Sequence, residues 1–387
     1  MTMSEGDLAT DLTYLRRSPV EPMAPPGSMT GAIGWLRANL ISTPFNIALT
    51  IITVWLLYWV VTETISFTLI NAVWTGQDRE ACLATVEGQE IGACWPFVWE
   101  RFSYFIYGSY PIPSRWRVDV FFVMLAIGVA WILWLEAPRR DLAAIYFFIV
   151  VPVASFVLLT GWDDIGLREV DTSLWGGLLV TIVVAVVGIV VSLPFGILLA
   201  LGRRSEMPAV KLFSVIFIEF VRGVPLITVL FMASVMLPLF VPDAWSPDKL
   251  VRALVGIALF ASAYMAEVVR AGLQAVPKGQ NEGAMAVGLG YWQMMRLIVL
   301  PQALKVTIPN IVNTYIGLFK DTTLVFIVGI FDFLRTVEVS RIDPKWATPV
   351  TSTTGYVVAA IVYFVFCYGM SLYAKAMEAR LATGHRR

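Results

Sequence analysis

Long apolar runs alternate with short polar segments along the whole chain. Apolar stretches of about 20 residues are long enough to cross the ~30 Å hydrocarbon core of a bilayer as helices. They are read at 45–70, 118–136, 142–161, 174–202, 212–240, 251–271, 305–333 and 355–376. The pattern predicts an all-α polytopic membrane protein with about eight transmembrane helices. Residues 1–43 are polar and Pro-rich, with no apolar signal-peptide core. They read as a tail followed by a short interfacial helix, in which Trp35, Leu36, Leu40 and Ile41 share an apolar face and Arg37 and Asn39 point to water; a plain linker is the alternative. Residues 71–117 form the longest loop, and 377–387 a closing tail.

Composition agrees with that division. The 387 residues are 58% hydrophobic and 14% charged, with mean hydropathy +0.75, whereas a soluble domain carries about 25% charged residues. A formal net charge of zero argues against nucleic acid as a partner. The one histidine, His385, lies in the C-terminal tail, which excludes histidine-based catalysis and a multi-histidine metal site. No G-x-x-x-x-G-K phosphate loop occurs, so no ATPase of its own, and no cofactor or metal, is expected in this chain. Arg16-Arg17, Arg139-Arg140, Arg203-Arg204 and Arg386-Arg387 all fall on one side of the eight-span layout. Asp163-Asp164, Glu169 and Asp171 fall on the other. The positive-inside rule then places both termini in the cytoplasm. Tryptophans near span ends read as interfacial belts. The 71–117 loop carries Cys82, Cys94, Trp74, Trp95, Trp99 and Trp116. In an oxidising outer compartment Cys82 and Cys94 are expected to join as a disulfide, the loop having little else to order it. Cys367, within the last span, reads as a small buried apolar residue.

Three groups of charge fall inside apolar runs, where an ionisable residue costs at least about 2.5–3.5 kcal/mol on insertion scales. Glu219 and Arg222 in FIEFVRGVPLI are spaced i, i+3 and can pair directly on one helix face. Gly223 and Pro225 follow, and proline breaks a helix at ~3 kcal/mol, a device by which transporters expose backbone to substrate. The group is either a structural ion pair or part of a substrate pathway. Lys320, Asp321, Thr322 and Thr323 fall in the middle of the 305–333 run. Neighbours on a helix point in different directions, so one of the two charges can face a pathway and the other a neighbouring helix. Glu267 and Arg270 lie near one end of their span and can form a local pair.

The run EVVRAGLQAVPKGQNEGAMAVGLGYWQMMRLIVLP (267–301) supplies a functional signal. Gln280, Glu282, Gly283, Ala284, Gly288, Leu289, Gly290, Leu300 and Pro301 resemble the "EAA" coupling loop (279–301) of importer-type ABC permeases. Gly283 stands where that pattern has Ala. Gly lowers helix propensity by roughly 1 kcal/mol, so a close backbone approach is expected there rather than a stable isolated helix. The segments GLLVTIVVAVVGIVVSLPFGILLALGRRS, FIEFVRGVPLITVLF, SAYMAEVVRAGLQAVPKGQ and LFKDTTLVFIVGIFD extend the likeness over 174–376. This region is similar to the core domain of polar amino-acid ABC importer permeases (the MetI-like, His-Glu-Gln-Arg-opine family). The added spans of 44–161 are similar to the larger subunits of general L-amino-acid or glutamate/glutamine/aspartate/asparagine importers.

The resemblance implies a MetI-like five-helix core plus three N-terminal helices in a bacterial inner membrane. It implies a non-enzymatic permease subunit importing L-amino acids. Its expected partners are two copies of an ABC ATPase that binds ATP and Mg, a second related permease, a periplasmic amino-acid-binding protein and membrane lipid. Charges of both signs suit a zwitterionic substrate, with Arg222 or Lys320 facing its carboxylate. The competing readings are an ion-gradient-driven secondary transporter and a non-transporting membrane scaffold.

Overall fold

The computed structural model describes residues 31–84, 88–134, 138–242 and 246–382. The readings made for residues 1–30 and for His385 lie outside them. The chain divides into two compact units, residues 1–70 and 71–387.

In the first unit, α1 (Gly31–Asn39) precedes α2 (Pro44–Ile65). The Thr43 hydroxyl accepts the Asn46 N–H (3.2 Å) and Pro44 occupies the first turn, two features that start helices. A π turn carries the helix on to Ile70, giving a 27-residue span. Within it Thr62, Thr64 and Thr68 donate their hydroxyls to carbonyls one turn back (2.8, 2.7 and 2.6 Å). Their polar groups are thereby satisfied inside an apolar segment.

The second unit is also helical. Its elements are α3 (Trp95–Tyr107), α4 (Trp116–Leu133), α5 (Arg140–Ile145), α6 (Val151–Thr160), α7 (Gly177–Arg203), α8 (Pro208–Gly223), α9 (Leu226–Phe231), α10 (Lys249–Ala275), α11 (Lys278–Ala286), α12 (Tyr291–Met294), α13 (Leu300–Asp321), α14 (Phe333–Ser340) and α15 (Pro349–Ala382). Among the described residues of the whole chain, seven helices are long and apolar enough to span a membrane. A bent pair, Pro208–Gly223 with Leu226–Leu239, makes the eighth. The seventh apolar run begins earlier than expected. Helix continues from Tyr291 to Val328 over 38 residues, so the second half of the 279–301 loop is the base of the next span.

The core forms where α7 packs along α10, with α13 against both. Lipid tails are as apolar as leucine, so membrane helices associate through close packing and favour small residues. A Cβ on Gly196 would sit 2.8 Å from the Met265 side chain, and one on Gly272 2.6 Å from the Ala303 carbonyl oxygen. Backbone cannot yield there as a flexible side chain can. Gly272→Val is expected to cost about 2 kcal/mol by overpacking. A lowered melting temperature of the detergent-solubilised protein checks it; unchanged melting contradicts the packing.

The 71–117 segment is more ordered than the sequence suggests. Phe97 and Phe105 of α3 are buried against Phe333 and Trp346. Arg101 pairs with Asp343, Lys345 with Glu100 (2.6 Å), and the Cys94 N–H donates to the Thr354 hydroxyl (3.0 Å). The hydrogen bond from Lys345 holds the Glu100 carboxyl below its usual range. Cys82 and Cys94 are joined by a disulfide with Cα atoms 5.8 Å apart. These partners lie far away in sequence, so the loop alone gives no sign of them. Cys82→Ser with Cys94→Ser is expected to remove about 2–4 kcal/mol, visible as faster amide exchange over α3.

Candidate functional site

Two irregular segments meet inside the bundle. The chain leaves α8 through Val224 (φ −111°, ψ 136°) and Pro225 (φ −60°, ψ 142°), and α9 departs at 106° to α8. Proline supplies no N–H and drives the residue before it to extended backbone, which is why the helix stops here. Opposite, α13 tightens at Thr322 into a 3₁₀ turn that runs to Val328 and packs against α9. Such departures from regular helix in membrane proteins occur where backbone is covered by protein or lines a cavity.

The charges near the first break do not pair as their spacing suggests. Glu219 faces Arg203 at the end of α7 (2.8 Å) and Arg222 faces Glu267 of α10 (3.7 Å). The bend turns the end of α8 towards other helices, so tertiary partners replace the local i, i+3 pair. Glu267 is the hub. Its carboxylate meets Arg203 at 2.8 Å and Arg270 at 2.7 Å, and its side chain is 16% exposed. Three arginines and two glutamates leave the cluster with one excess positive charge. Arg222 is the most loosely held cation. It has the longest contact, its guanidinium lies 5.6 Å from the Tyr264 ring centroid, and its side chain is 36% exposed.

Lys320–Thr323 is not part of this cluster. Leu318 and Ile257 both lie against Gly188, and Ile257 stands ten residues from Glu267 on α10, about 15 Å at helical rise. The two groups therefore occupy two levels of the bundle. Thr322 is buried and donates to the Phe319 carbonyl (2.8 Å); Thr323 donates to Lys320 O (3.1 Å). Lys320 is exposed and Asp321 half-buried.

Sequence reasoning weighed charges and passed over a neutral pattern beside them. Asn310, Asn313 and Lys320 are exposed on α13, and Gly317 between them faces open space. At about 100° per residue these positions fall within one wedge of roughly 80°. A polar stripe on the open face of a membrane-spanning helix is costly against lipid tails. Its spacing was readable, as was the Arg203–Arg204 pair at the end of an apolar run.

The polar connection folds as a short helix. Pro277 precedes α11, and of its side chains only Ala284 is buried. Gln302 donates to the Gln280 side chain (3.0 Å). Gly288 (φ +82°) closes the helix, the Leu289 N–H returning to the Ala284 carbonyl (3.1 Å) in a left-handed C-terminal cap. Gly290 starts α12, its N–H donating to the Gln293 side chain (3.2 Å). Pro301 opens α13. Gly283 is helical, against the expectation from its low helix propensity, and nothing lies within 4 Å of where a Cβ would stand. Exposed Glu282, Met285, Val287 and Trp292 surround it.

A helical membrane bundle with a broken span, a polar stripe and an exposed amphipathic connection is the architecture of a transport subunit. Residues 192–383 match the family described as the binding-protein-dependent transport system inner membrane component. The chain is 48% identical over 353 residues to the inner membrane amino-acid ABC transporter permease protein YhdY of Escherichia coli (strain K12), covering 91% of this chain and 94% of that one. It is 38% identical over 439 residues to the glutamate/glutamine/aspartate/asparagine transport system permease protein BztC of Rhodobacter capsulatus, covering 97% and 100%. A crystal structure of an amino acid ABC transporter with histidines aligns at 28% identity and TM-score 0.46, over 53% of this chain and 92% of that one. The chain belongs to the binding-protein-dependent transport system inner membrane component family. It is a multi-pass inner-membrane permease subunit that works with a substrate-binding protein and a separate ATPase.

Proposed function

We propose that this subunit forms one wall of the pathway by which an ABC importer moves L-amino acids across the inner membrane. The observation that carries the reading is the open polar stripe Asn310–Asn313–Gly317–Lys320 on α13. One subunit leaves the stripe uncovered, so a second, related permease completes the pathway. Lys320 and Arg222, at two levels, supply successive positive stations for the substrate carboxylate, with Asp321 and Glu219 available to its ammonium group. Thr322 and Thr323 hold the helix turn at the upper station, and Gly223 and Pro225 free the backbone at the lower one. Both termini face the cytoplasm, on the same side as α11 and α12. Two copies of the ATPase bind ATP and Mg, one docking on Gln280, Glu282, Gly283, Ala284, Gly288, Leu289, Gly290 and Pro301. A periplasmic amino-acid-binding protein delivers substrate to the opposite face.

Uptake by the complete complex in proteoliposomes tests this. Labelled glutamate, glutamine, aspartate or asparagine should accumulate only with ATP on the ATPase side, and ionophores should leave uptake unchanged. Asn313→Leu with Lys320→Met should preserve assembly and lower uptake at least about ten-fold, a loss of ~1.4 kcal/mol. Uptake that needs an ion gradient and not ATP establishes the secondary-transporter reading instead. Full uptake by the double variant removes the stripe from the pathway.

A further inference from the structure

Helix α3 has two apolar faces, and the bundle covers one of them. Phe97, Val98 and Phe105 are buried against α7, α14 and the start of α15. Trp95, Trp99, Phe102 and Ile106 form the other face. At about 100° per residue they fall within one wedge of roughly 60°. Trp99 is 63% and Phe102 51% exposed, with Trp95 and Ile106 half-buried.

Contacts at both ends of α3 set its level. α7 and α10 run parallel, since Gly188 meets Ile257 and Gly196 meets Met265, so α7 starts at the end of the bundle away from α11. The start of α15 lies at that same end, because Gly177 pairs with Asp332 just before α14 and Gly355 packs on Val337 within it. The Cys94 N–H, one residue before α3, donates to the Thr354 hydroxyl of α15 (3.0 Å). The Phe105 carbonyl abuts Gly177, the first residue of α7. A helix held at both ends by the beginnings of two spans lies across the bundle, at the level where spans enter the bilayer.

The polar side of α3 shows which way water lies. Glu100 pairs with Lys345 (2.6 Å) and Arg101 with Asp343, and Tyr104 lines a hollow with Ser340 and Pro344. The segment 341–345 is charged and largely exposed. Glu100 and Tyr104 stand about 130° and 170° round the helix from the middle of the open stripe. The stripe therefore turns away from this hydrated loop. On its flank it adjoins α4, where Arg115 donates to the Ser103 hydroxyl (2.5 Å) and Tyr107 to Asp119 (2.6 Å). Exposed Trp116, Val120, Val123 and Ile127 continue the apolar surface along that span. Tryptophan and phenylalanine at this level suit the boundary between headgroups and acyl chains, where their rings are favoured.

We propose that α3 is an interfacial anchor: Trp95, Trp99, Phe102 and Ile106 sit at the headgroup–acyl boundary of the leaflet opposite α11, while Glu100 and Tyr104 stay with the charged loop at water level. The lipid surface and the Cys82–Cys94 disulfide then hold α3, and with it α14 and the start of α15, at the membrane boundary.

Spin labelling of the complete complex in phosphatidylethanolamine vesicles tests this, with Cys367→Ser as background and one labelled cysteine at a time. Nitroxides on Trp99→Cys and Phe102→Cys should be accessible to oxygen, shielded from a water-soluble nickel chelate, and about 5–10 Å below the phosphates. A nitroxide on Glu100→Cys should meet the chelate, and one on Val123→Cys should lie deeper. Labels at 99 and 102 that meet the chelate as freely as the label at 100 put the stripe in water. Labels shielded from both reagents put it beneath another protein. Either result overturns the anchor. Phosphatidylethanolamine with a diazirine high on its acyl chain tests the native side chains. It should label 95–106 in the unsubstituted complex, and absence of label there overturns the proposal even where a cysteine variant does not assemble.

Discussion

Glu267→Gln is expected to abolish uptake and lower the stability of the subunit by about 3 kcal/mol, the lower end of the cost of breaking a buried ion pair. The lower end applies because the three arginines facing Glu267 retain 26–36% of their side-chain exposure. The variant leaves Arg203, Arg222 and Arg270 with only Glu219, which is itself 54% exposed and contacts Arg203 alone. Two like charges about 5 Å apart repel by roughly 3 kcal/mol at an effective dielectric constant of 20, so the guanidiniums must separate. Separation loosens the ends of α7 and α8 from α10, the helix that leads through Val276 and Pro277 into α11. Arg270→Gln removes one excess cation and leaves the other contacts in place, so its effect should be small. Added to Glu267→Gln, it should restore part of the stability. Melting temperature and uptake of the assembled complex read both effects. A Glu267→Gln protein within about 0.5 kcal/mol of wild type, the range of an ordinary surface change, shows that the cluster holds nothing together.

The spans were legible because bilayer thickness acts on every residue of a run at once. Length and polarity alone place Pro44–Ile70, Asp141–Thr160, Gly177–Arg203 and Lys249–Ala275 within a few residues. The break at Gly223–Pro225 was legible for a local reason: proline acts on its own neighbours. What could not be read was the direction taken after the break. A 106° bend sends Glu219 to Arg203 and Arg222 towards Glu267, and no spacing within α8 encodes that.

The same limit applies to the segment between α2 and α4. Its charged partners Asp343 and Lys345 stand 242 and 245 residues from Arg101 and Glu100, beyond the reach of any window. Gly283 differs for another reason: its low propensity argues against a helix, but the cost of one glycine is small enough for the Pro277 start and the Gly288 cap to offset. Asn310 and Asn313 were legible and went unused, because an uncharged amide draws less notice than Lys320 although its periodicity carries as much information.

Glu282→Lys with Gly288→Asp is expected to separate ATP hydrolysis from uptake, or to prevent the ATPase from binding, while the subunit remains folded. The fold tolerates the change for stated reasons. Glu282 is exposed, and Gly288 has open space around it. A side chain at φ +82° costs roughly 1–2 kcal/mol in the left-handed region, with Asp among the less penalised residues. The surface does not tolerate it. Exposed Met285, Val287 and Trp292 lie in a polar connection where water is a poor neighbour, and apolar groups clustered in this way mark a contact with another protein. Gly279 and Gly283, with nothing within 4 Å of their Cβ positions, let a partner backbone come close. Reversing one charge at the edge of this patch and reshaping the cap that orients Leu289 should therefore act on the partner and not on the bundle. Three measurements divide the outcomes: melting of the subunit alone, co-purification with the ATPase, and ATP turned over per substrate moved. Near-wild-type melting, together with lost co-purification or with hydrolysis that no longer drives uptake, places the work-receiving contact on α11 and α12. A double variant that assembles normally and transports at wild-type rates moves that contact elsewhere, and leaves the exposed apolar patch of this connection without a function.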